Sequence, residues 1–457
     1  MTNSRETICL YILNHNYGQF LNTCVESVMQ QTRVPDEIFL IDDGSSDGSK
    51  ETIEDLKSRF PTINVVFQEN VGLITSIRKI ISMSDADYFI RVDADDWISP
   101  DLIEELSKAF EENPKIGLTY PDYYEVSEQG RKLRRVHRHD VSKDVTLLDM
   151  PAHGACTMVR RSALIANEDL FSDIECQDGV DVWLSVIKTF EVRNVNLPLF
   201  FYRQHGSSLS KNEERLLENR RKIYARHARD ATSTNLMCDL VVPVSRRDEA
   251  VIMSFNLADE GSNYLANFVL AAKDNQVFSN IVICYEEGVD INSMFGYLPK
   301  SAQIRFVERP SYLAEQGVSL LQTVQFLVDK NVLDADLPIS VQTAGYPMMK
   351  PAYHEMALYS QSIYQTDIVD SVRLDQSIFY THNGKTMESL VPGEYRYERN
   401  LIFKRVGGLR FFSRNFISNG NGELSEGTII GHIEVDGTSA ISWEDIEFIR
   451  RSGILEI

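Results

Sequence analysis

Positive charge is in short supply in this chain. Its 457 residues carry 46 Lys and Arg against 67 Asp and Glu, a formal net charge of -21. A nucleic-acid binder needs a basic footprint to meet phosphates, so that class is excluded and no nucleic-acid partner is expected. Cysteine is scarce as well. The six (Cys9, Cys24, Cys156, Cys176, Cys238 and Cys284) form no C-x-x-C pair and no zinc spacing. Several sit inside apolar runs, as reduced core thiols do. A disulfide scaffold is therefore excluded, and a reducing, cytoplasmic compartment is expected. No stretch reaches the roughly 20 apolar residues that span a bilayer. The opening "MTNSRETICLYIL" has no long apolar run before the polar "NHNYG", so no signal peptide is expected. Peripheral association with the inner face of a membrane leaves no mark in such counts and stays open.

What is present is a regular alternation. At 457 residues two domains are the default. "ICLYIL" is a short apolar strand, and "FLNTCVESVMQQ" places Phe20, Leu21, Cys24, Val25, Val28 and Met29 on one helical face. "EIFLIDD", "INVVFQ" and "DYFIRVD" are further strands, separated by the helical "KETIEDLKSRF" and "GLITSIRKIISMS". Strands alternating with helices of this length predict a parallel sheet covered on both faces. Ligands of such sheets bind at the carboxyl ends of the strands. Three polar loops, 14–19, 42–49 and 93–96, fall there. A charged helical segment, "NEERLLENRRKIYARHARDA", is read as the end of a first domain spanning 1–225. A linker is expected at 226–237. "DLVVPVS" then starts a second α/β domain over 238–457.

The stretch "RVDADDWISPD" crowds Asp93, Asp95, Asp96 and Asp101 at a strand end. Two carboxylates one residue apart suit a hard divalent cation, Mg2+ or Mn2+, that keeps positions open for phosphates. Alone, the triplet fits a solvated strand end better than a metal site. "IDDGSSDGS" offers Asp42 and Asp43 as acceptors for base or ribose donors; it also fits an acidic helix start, with Ser46 or Ser49 capping the next helix. Asn70, Gly72 and Arg78 lie near the same edge, where Arg78 fits a snorkelling surface residue as well as a ligand contact. Asp178 and Asp181 in "QDGVDVWL" precede an apolar helix, as caps or dipole partners do and as a general base would. His205 sits in the polar turn "YRQHGSSLS".

Taken in order, "LNHNYGQFL", "EIFLIDDGSSDGS", "NVGLITSIRKI", "RVDADDWISPDLIE", "QDGVDVWL" and "YRQHGSSLS" resemble an inverting family 2 glycosyltransferase of the GT-A fold, over roughly residues 7–225. The resemblance implies that Asn14, Asn16, Asp42, Asp43, Asn70, Arg78 and Asp93 face the nucleotide-sugar donor. It implies that Asp93 and Asp95, completed by His205, hold Mn2+ or Mg2+, with Asp96 assisting. Asp178 is the implied catalytic base, with Asp181 the second candidate because the motif reads "QDG" where the family has Glu-Asp or Asp-Asp. A UDP-sugar is the favoured donor, and a saccharide or lipid-linked glycan in surface polysaccharide synthesis the implied acceptor. His15 stands where family members often carry an aromatic residue. Asp101, after Pro100, is expected to start a helix.

The second half, through "DLVVPVSRRDE", "SVQTAGYP" and "IEVDGTSAISWED", is similar to CMP-sugar synthetases of the acylneuraminate cytidylyltransferase group. Gln342 and Asp436 would then sit at nucleotide and metal positions, with Glu434 as a stand-in for a second acid. The tight glycines of that family's triphosphate loop are absent around Arg246 and Arg247, and Asp248 and Glu249 are added. A triphosphate needs dense positive charge and close backbone approach, so a degenerate domain is expected. Its expected use is assembly, including a homo-oligomer, acceptor holding or regulation. The expected architecture is two Rossmann-like nucleotide-diphospho-sugar domains. The rival functions are a bifunctional transferase and CMP-nonulosonic acid synthetase, and a non-catalytic sugar-binding scaffold.

Overall fold

The computed structural model of the chain describes residues 6–137, 153–167, 169–206, 212–231, 236–254, 263–334, 336–375, 380–382, 387–389, 402–420, 425 and 427–446. The chain divides into two units, one of residues 1–223 with 376–401, the other of 224–375 with 402–457.

The first unit begins with the expected alternation. β1 (Ile8–Asn14), α1 (Gly18–Met29), β2 (Glu37–Asp43), α2 (Ser49–Arg59), β3 (Asn64–Gln68), α3 (Leu73–Met83) and β4 (Tyr88–Asp93) follow one another. β5 (Trp97–Ile98), α4 (Leu102–Glu112), β6 (Ile116–Ser127), β7 (Lys132–Val136), β8 (Met158–Arg160), α5 (Arg161–Ile165), α6 (Asp178–Val186), β9 (Glu191–Gln204) and α7 (Glu213–Ala231) complete it. α7 carries the chain past residue 225, so residues 226–231, expected as linker, are helical. The sheet runs β3-β2-β1-β4-β8-β6-β9-β5, with β7 paired to β6. β3, β2, β1 and β4 are mutually parallel. β8 is antiparallel to β4 and β6, and β9 is parallel to β6.

β1 is buried on both faces, Ile8, Leu10 and Ile12 on one and Cys9 and Tyr11 on the other, as a central parallel strand must be. α1 buries Phe20, Leu21, Cys24, Val25 and Val28, the stripe its spacing predicts. Neither Ser46 nor Ser49 caps α2. Gly48, with φ 86°, is the residue before the helix. Asp47 instead accepts from the Ser49 amide and hydroxyl and from the Gly18 amide, joining the starts of α2 and α1. All six cysteines are buried and unpaired; burial pushes the Cys9 thiol up to about 12.

The second unit contains β10 (Cys238–Val244), α8 (Arg246–Ser254), α9 (Tyr264–Lys273), β11 (Phe278–Glu286), α10 (Ile291–Phe295), β12 (Ile304–Arg309), α11 (Leu320–Asp329), β13 (Ile339–Gln342), α12 (Pro351–Tyr364) and β14 (Ile368–Asp375). A hairpin of β15 (Tyr380–His382) and β16 (Met387–Ser389) is followed by β17 (Ile402–Phe412), α13 (Arg414–Asn419) and β18 (Ile430–Glu434). The hairpin groups with the first unit, although 238–457 was expected to be one domain. The main sheet runs β12-β11-β10-β13-β17-β14-β18. β17 is antiparallel to both its neighbours and β18 is parallel to β14. Taken in chain order, β10, β11, β12, β13, β14, β17 and β18 therefore occupy the positions and directions of β1, β2, β3, β4, β6, β8 and β9. Each unit carries the same sheet. Among the described residues, no helix is long and apolar enough to cross a membrane.

Candidate active site

The parallel strands of the first unit end together, and that edge collects the expected acids. β4 delivers Asp93 as its last residue, and the turn that follows delivers Asp95 and Asp96. The crowding shows in their protonation. Lost hydration, with Asp95 and Asp178 nearby, pushes Asp93 up to about 6 against the pull of Arg91. Burial pushes Asp96 well above the ordinary carboxylate range, and Asp95 and Asp93 add to this. Asp96 is fully buried, takes the Arg203 amide on Oδ1 at 2.8 Å, and leaves Oδ2 a buried acceptor without a donor. Its place is structural, inside the turn.

His205 does not lie in an open turn. It follows β9 (Glu191–Gln204), is 5% exposed, and its Nε2 stands 2.8 Å from Asp95 Oδ2. Tyr17 and Phe20 of the first loop and helix flank the ring at 5.3 and 5.4 Å. Arg203, two residues earlier, donates to the Asp95 carbonyl at 2.7 Å and lies over Phe20 and Trp97. The D-x-D turn and the "YRQH" strand are thereby locked to each other.

Asp178 opens α6, after Gln177 in left-handed backbone (φ 67°). A carboxylate there benefits from the helix N-terminus. Its Oδ2 accepts from Arg91 Nη1 at 2.7 Å, while Arg91 Nε lies 2.8 Å from Asp93 Oδ1. The guanidinium is 4% exposed. Burial alone would lower its pKa, but Asp178 and Asp93 raise it further than burial lowers it, so it stays charged. Gly154 makes room for this pair: a Cβ there would meet Asp178 Oδ2 at 2.4 Å and Arg91 Nη2 at 2.9 Å. A cavity of about 30 Å³, room for one water, adjoins them and is lined in part by Tyr11, His153, Phe171 and Asp178. Asp181, the alternative base, is fully buried and accepts the amide of Phe171, itself at φ 67°. That bond holds the preceding loop.

The loop residues are also brought to this edge. Asn14 donates to Asp42 Oδ1 at 2.7 Å, and Asp42 also accepts from Ser45. Asp43 accepts from Gln68 and from the amides of Val71 and Gly72. Both carboxylates are buried, so they brace the pocket's loops. Asn16, at φ 62°, accepts from the Ser46 amide and adjoins exposed His15, which Asn70 also approaches. These exposed groups form the open rim. Arg78 is exposed and donates to the Leu170 carbonyl at 2.9 Å, which ties α3 to a loop.

No three His, Cys, Asp or Glu side chains among the described residues are grouped tightly enough to hold a metal ion by themselves. The donor set still suits a hard cation. Two carboxylates and an imidazole are hard and borderline donors of the kind that such a cation takes while leaving most coordination to phosphate oxygens. Arg91, Gly154 and Arg203 were not singled out from the sequence. An arginine inside an apolar strand was the available signal for the first.

Parts of the chain are similar to known proteins. Residues 9–166 match the family model "Glycosyl transferase family 2". A chondroitin synthase of Pasteurella multocida is 27% identical over 205 residues, 44% of this chain and 21% of that protein. A glycosyltransferase of Streptococcus pneumoniae, GlyG, is 32% identical over 124 residues, 27% of this chain and 41% of that protein. The solved structure of S. aureus TarS 1–349 in complex with UDP-GlcNAc is 15% identical and covers 55% of this chain and 73% of that one, with a TM-score of 0.40. The chain thus spans about a fifth of the synthase's length. Residues 9–166, which include β1 to β4 and the D-x-D turn, are thus similar in sequence to family 2 glycosyl transferases.

Proposed function

We propose that the first unit is a metal-dependent inverting transferase that moves a sugar from a nucleoside diphosphate to a hydroxyl of a saccharide or glycoconjugate acceptor. The observation that carries this is the meeting, at one sheet edge, of Asp93, the Asp95–His205 pair and a separately held Asp178. Asp93, Asp95 and His205 would hold Mn2+ or Mg2+, which when bound neutralises charge on the diphosphate leaving group. Asn16, His15 and Asn70 offer the exposed rim to the nucleoside, with Asp42 and Asp43 bracing it. Asp178 takes the proton of the acceptor hydroxyl as that oxygen bonds to the anomeric carbon. The bond from that carbon to the diphosphate oxygen breaks on the opposite face, and configuration inverts without a covalent enzyme intermediate. Polysaccharide synthesis is the setting suggested by the chondroitin synthase likeness, and a UDP-sugar is the donor proposed.

For the second unit we propose a non-catalytic role in holding the acceptor or in assembly. Arg246 donates to the Glu287 carbonyl and Arg247 to the Ala314 carbonyl, so both cations that a triphosphate would need are engaged. The test is incubation with UDP- and GDP-sugars, Mn2+ and oligosaccharide acceptors, with the product anomer read by NMR. Inverted product is expected from the wild type, and none from Asp95→Ala or Asp178→Asn with unchanged circular dichroism. Wild-type turnover in either variant would overturn the assignment. Pyrophosphate released from CTP and a nonulosonic acid would overturn the proposal for the second unit.

A further inference from the structure

The buried guanidinium between the two acidic elements has no part in the reaction as set out above. Arg91 lies on β4, two residues before Asp93, and its neighbour on β1 is Tyr11. A buried ion pair is costly to desolvate, and an apolar residue at such a strand position is often neutral or stabilising in its place. The arginine here is spread across two carboxylates that belong to different parts of the chain. Nε faces Asp93 Oδ1 at 2.8 Å, and Nη1 donates to Asp178 Oδ2 at 2.7 Å. Gly154 leaves no Cβ where the pair sits, since one would fall 2.4 Å from Asp178 Oδ2.

We propose that Arg91 is a positioning residue for the transfer step. It engages Oδ2 of the base and turns Oδ1 toward the acceptor, while its other edge sets the base's distance from the D-x-D strand. The inference rests on the function proposed above. The Asp178 contact is a directed hydrogen bond, while the Asp93 contact is a close ion pair in which Nε makes no hydrogen bond and Nη2 donates to Oδ2 at 3.5 Å; a planar guanidinium can hold both carboxylates at once, which a lysine's point charge cannot. Misplacement of a reacting group by about 1 Å costs on the order of 100-fold in rate. Arg91 touches no reacting atom in this scheme, so its loss should appear in kcat and leave donor binding alone.

The test uses the full chain with Arg91→Lys and Arg91→Ala. Donor KM, kcat and the Mn2+-dependent thermal shift with UDP are measured for each, and the alanine variant is also assayed with added guanidinium ion. Expected are a kcat lower by about 10–100-fold for Arg91→Lys and about 100–1,000-fold for Arg91→Ala, with donor KM and the UDP shift within about threefold of wild type. Guanidinium should restore part of kcat in Arg91→Ala and none in Asp178→Asn. A merely structural ion pair would not give that rescue. Unchanged kcat in Arg91→Lys, or loss of the UDP shift with kcat retained, would overturn the positioning role and leave the proposed function standing. If Arg91→Ala fails to fold, Arg91→Lys decides. A wild-type protein that transfers no sugar would overturn both.

Discussion

The two units carry separate sheets with a common seven-strand order and differ at the strand tips. In the first, the strand that ends beside β1 finishes on Asp93, with Asp95 two residues on. In the second, the matching strand β13 finishes on Gln342, with Ala344 two residues on. Between the antiparallel strand and the last strand, the first unit has α5 and then α6, which opens with Asp178; in the second, among the described residues, α13 stands there and opens with Arg414. The tip groups of the second unit are bonded inward. Gln342 Oε1 accepts from His354, whose other ring nitrogen meets Ser340 at 2.7 Å. Asp436 accepts from Lys350, Tyr353 and the Ser439 amide. Backbone topology alone therefore supplies a cleft. In the first unit the tip acids are gathered together instead, Asp93 against Arg91 and Asp95 against His205.

The comparison breaks most sharply at the strand tips. Asp95→Ala should lower transfer by at least about 1,000-fold, measured as initial rate with Mn2+. Gln342→Ala should leave transfer unchanged and cost about 1–3 kcal/mol in urea unfolding, because it strands buried His354. Equal losses of rate would place chemistry in both units. Next in size is Gly154→Ala. Its Cβ forces the Asp178–Arg91 pair apart, so kcat should fall about 10–100-fold and stability by about 1–3 kcal/mol.

The pH responses of the two units should oppose each other. Asp93 in the metal-free protein has its folded value raised to about 6, so between pH 4 and 6 the folded state binds more protons than the unfolded. Stability from this group thus falls as pH rises through that window, by on the order of 1–2 kcal/mol, and Asp93→Asn should abolish the trend. Burial lowers His354 to about 3. The unfolded state then binds the extra proton, and stability from His354 is lost as pH falls below its unfolded value of about 6.5. Urea titrations at pH 7 and 5, comparing wild type with Asp93→Asn, separate the two. The smallest effect is expected from Arg246→Ala, an exposed side chain bonded to a carbonyl. It should shift stability by no more than about 0.5 kcal/mol and leave transfer and UDP binding alone. A lost CTP-induced thermal shift in that variant would show that the second unit does bind a triphosphate.

Much of the first unit was legible because its signals are local. Apolar spacing in α1 and the continuous runs of β1, β2 and β4 depend on neighbours in sequence, so strands, helices and the acidic strand ends follow from the residues alone. Alternation also implied the parallel sheet and its ligand-bearing edge. Local capping was less secure: Ser46 and Ser49 were as plausible before α2 as Asp47, and only folding of α1 against α2 gave Asp47 a third donor, the Gly18 amide. The charged segment near 225 was legible as a helix, but composition did not tell where it stops, and α7 runs on to Ala231 through the expected linker. The residues implied two α/β units but not their common strand order, because sheet order depends on which strands pair and not on residue identity.

The amino-acid sequence by itself determined the alternating class, the reduced cysteines, and the presence of acids and one histidine at strand and helix ends. Tertiary structure alone decided what each acid does. It turned Asp181 inward to the Phe171 amide, enclosed Asp96, joined His205 to Asp95 across 110 residues, and set Arg91 between Asp93 and Asp178. A carboxylate's role depends on which donors reach it and how much water is excluded, and both are fixed only when distant segments close around it.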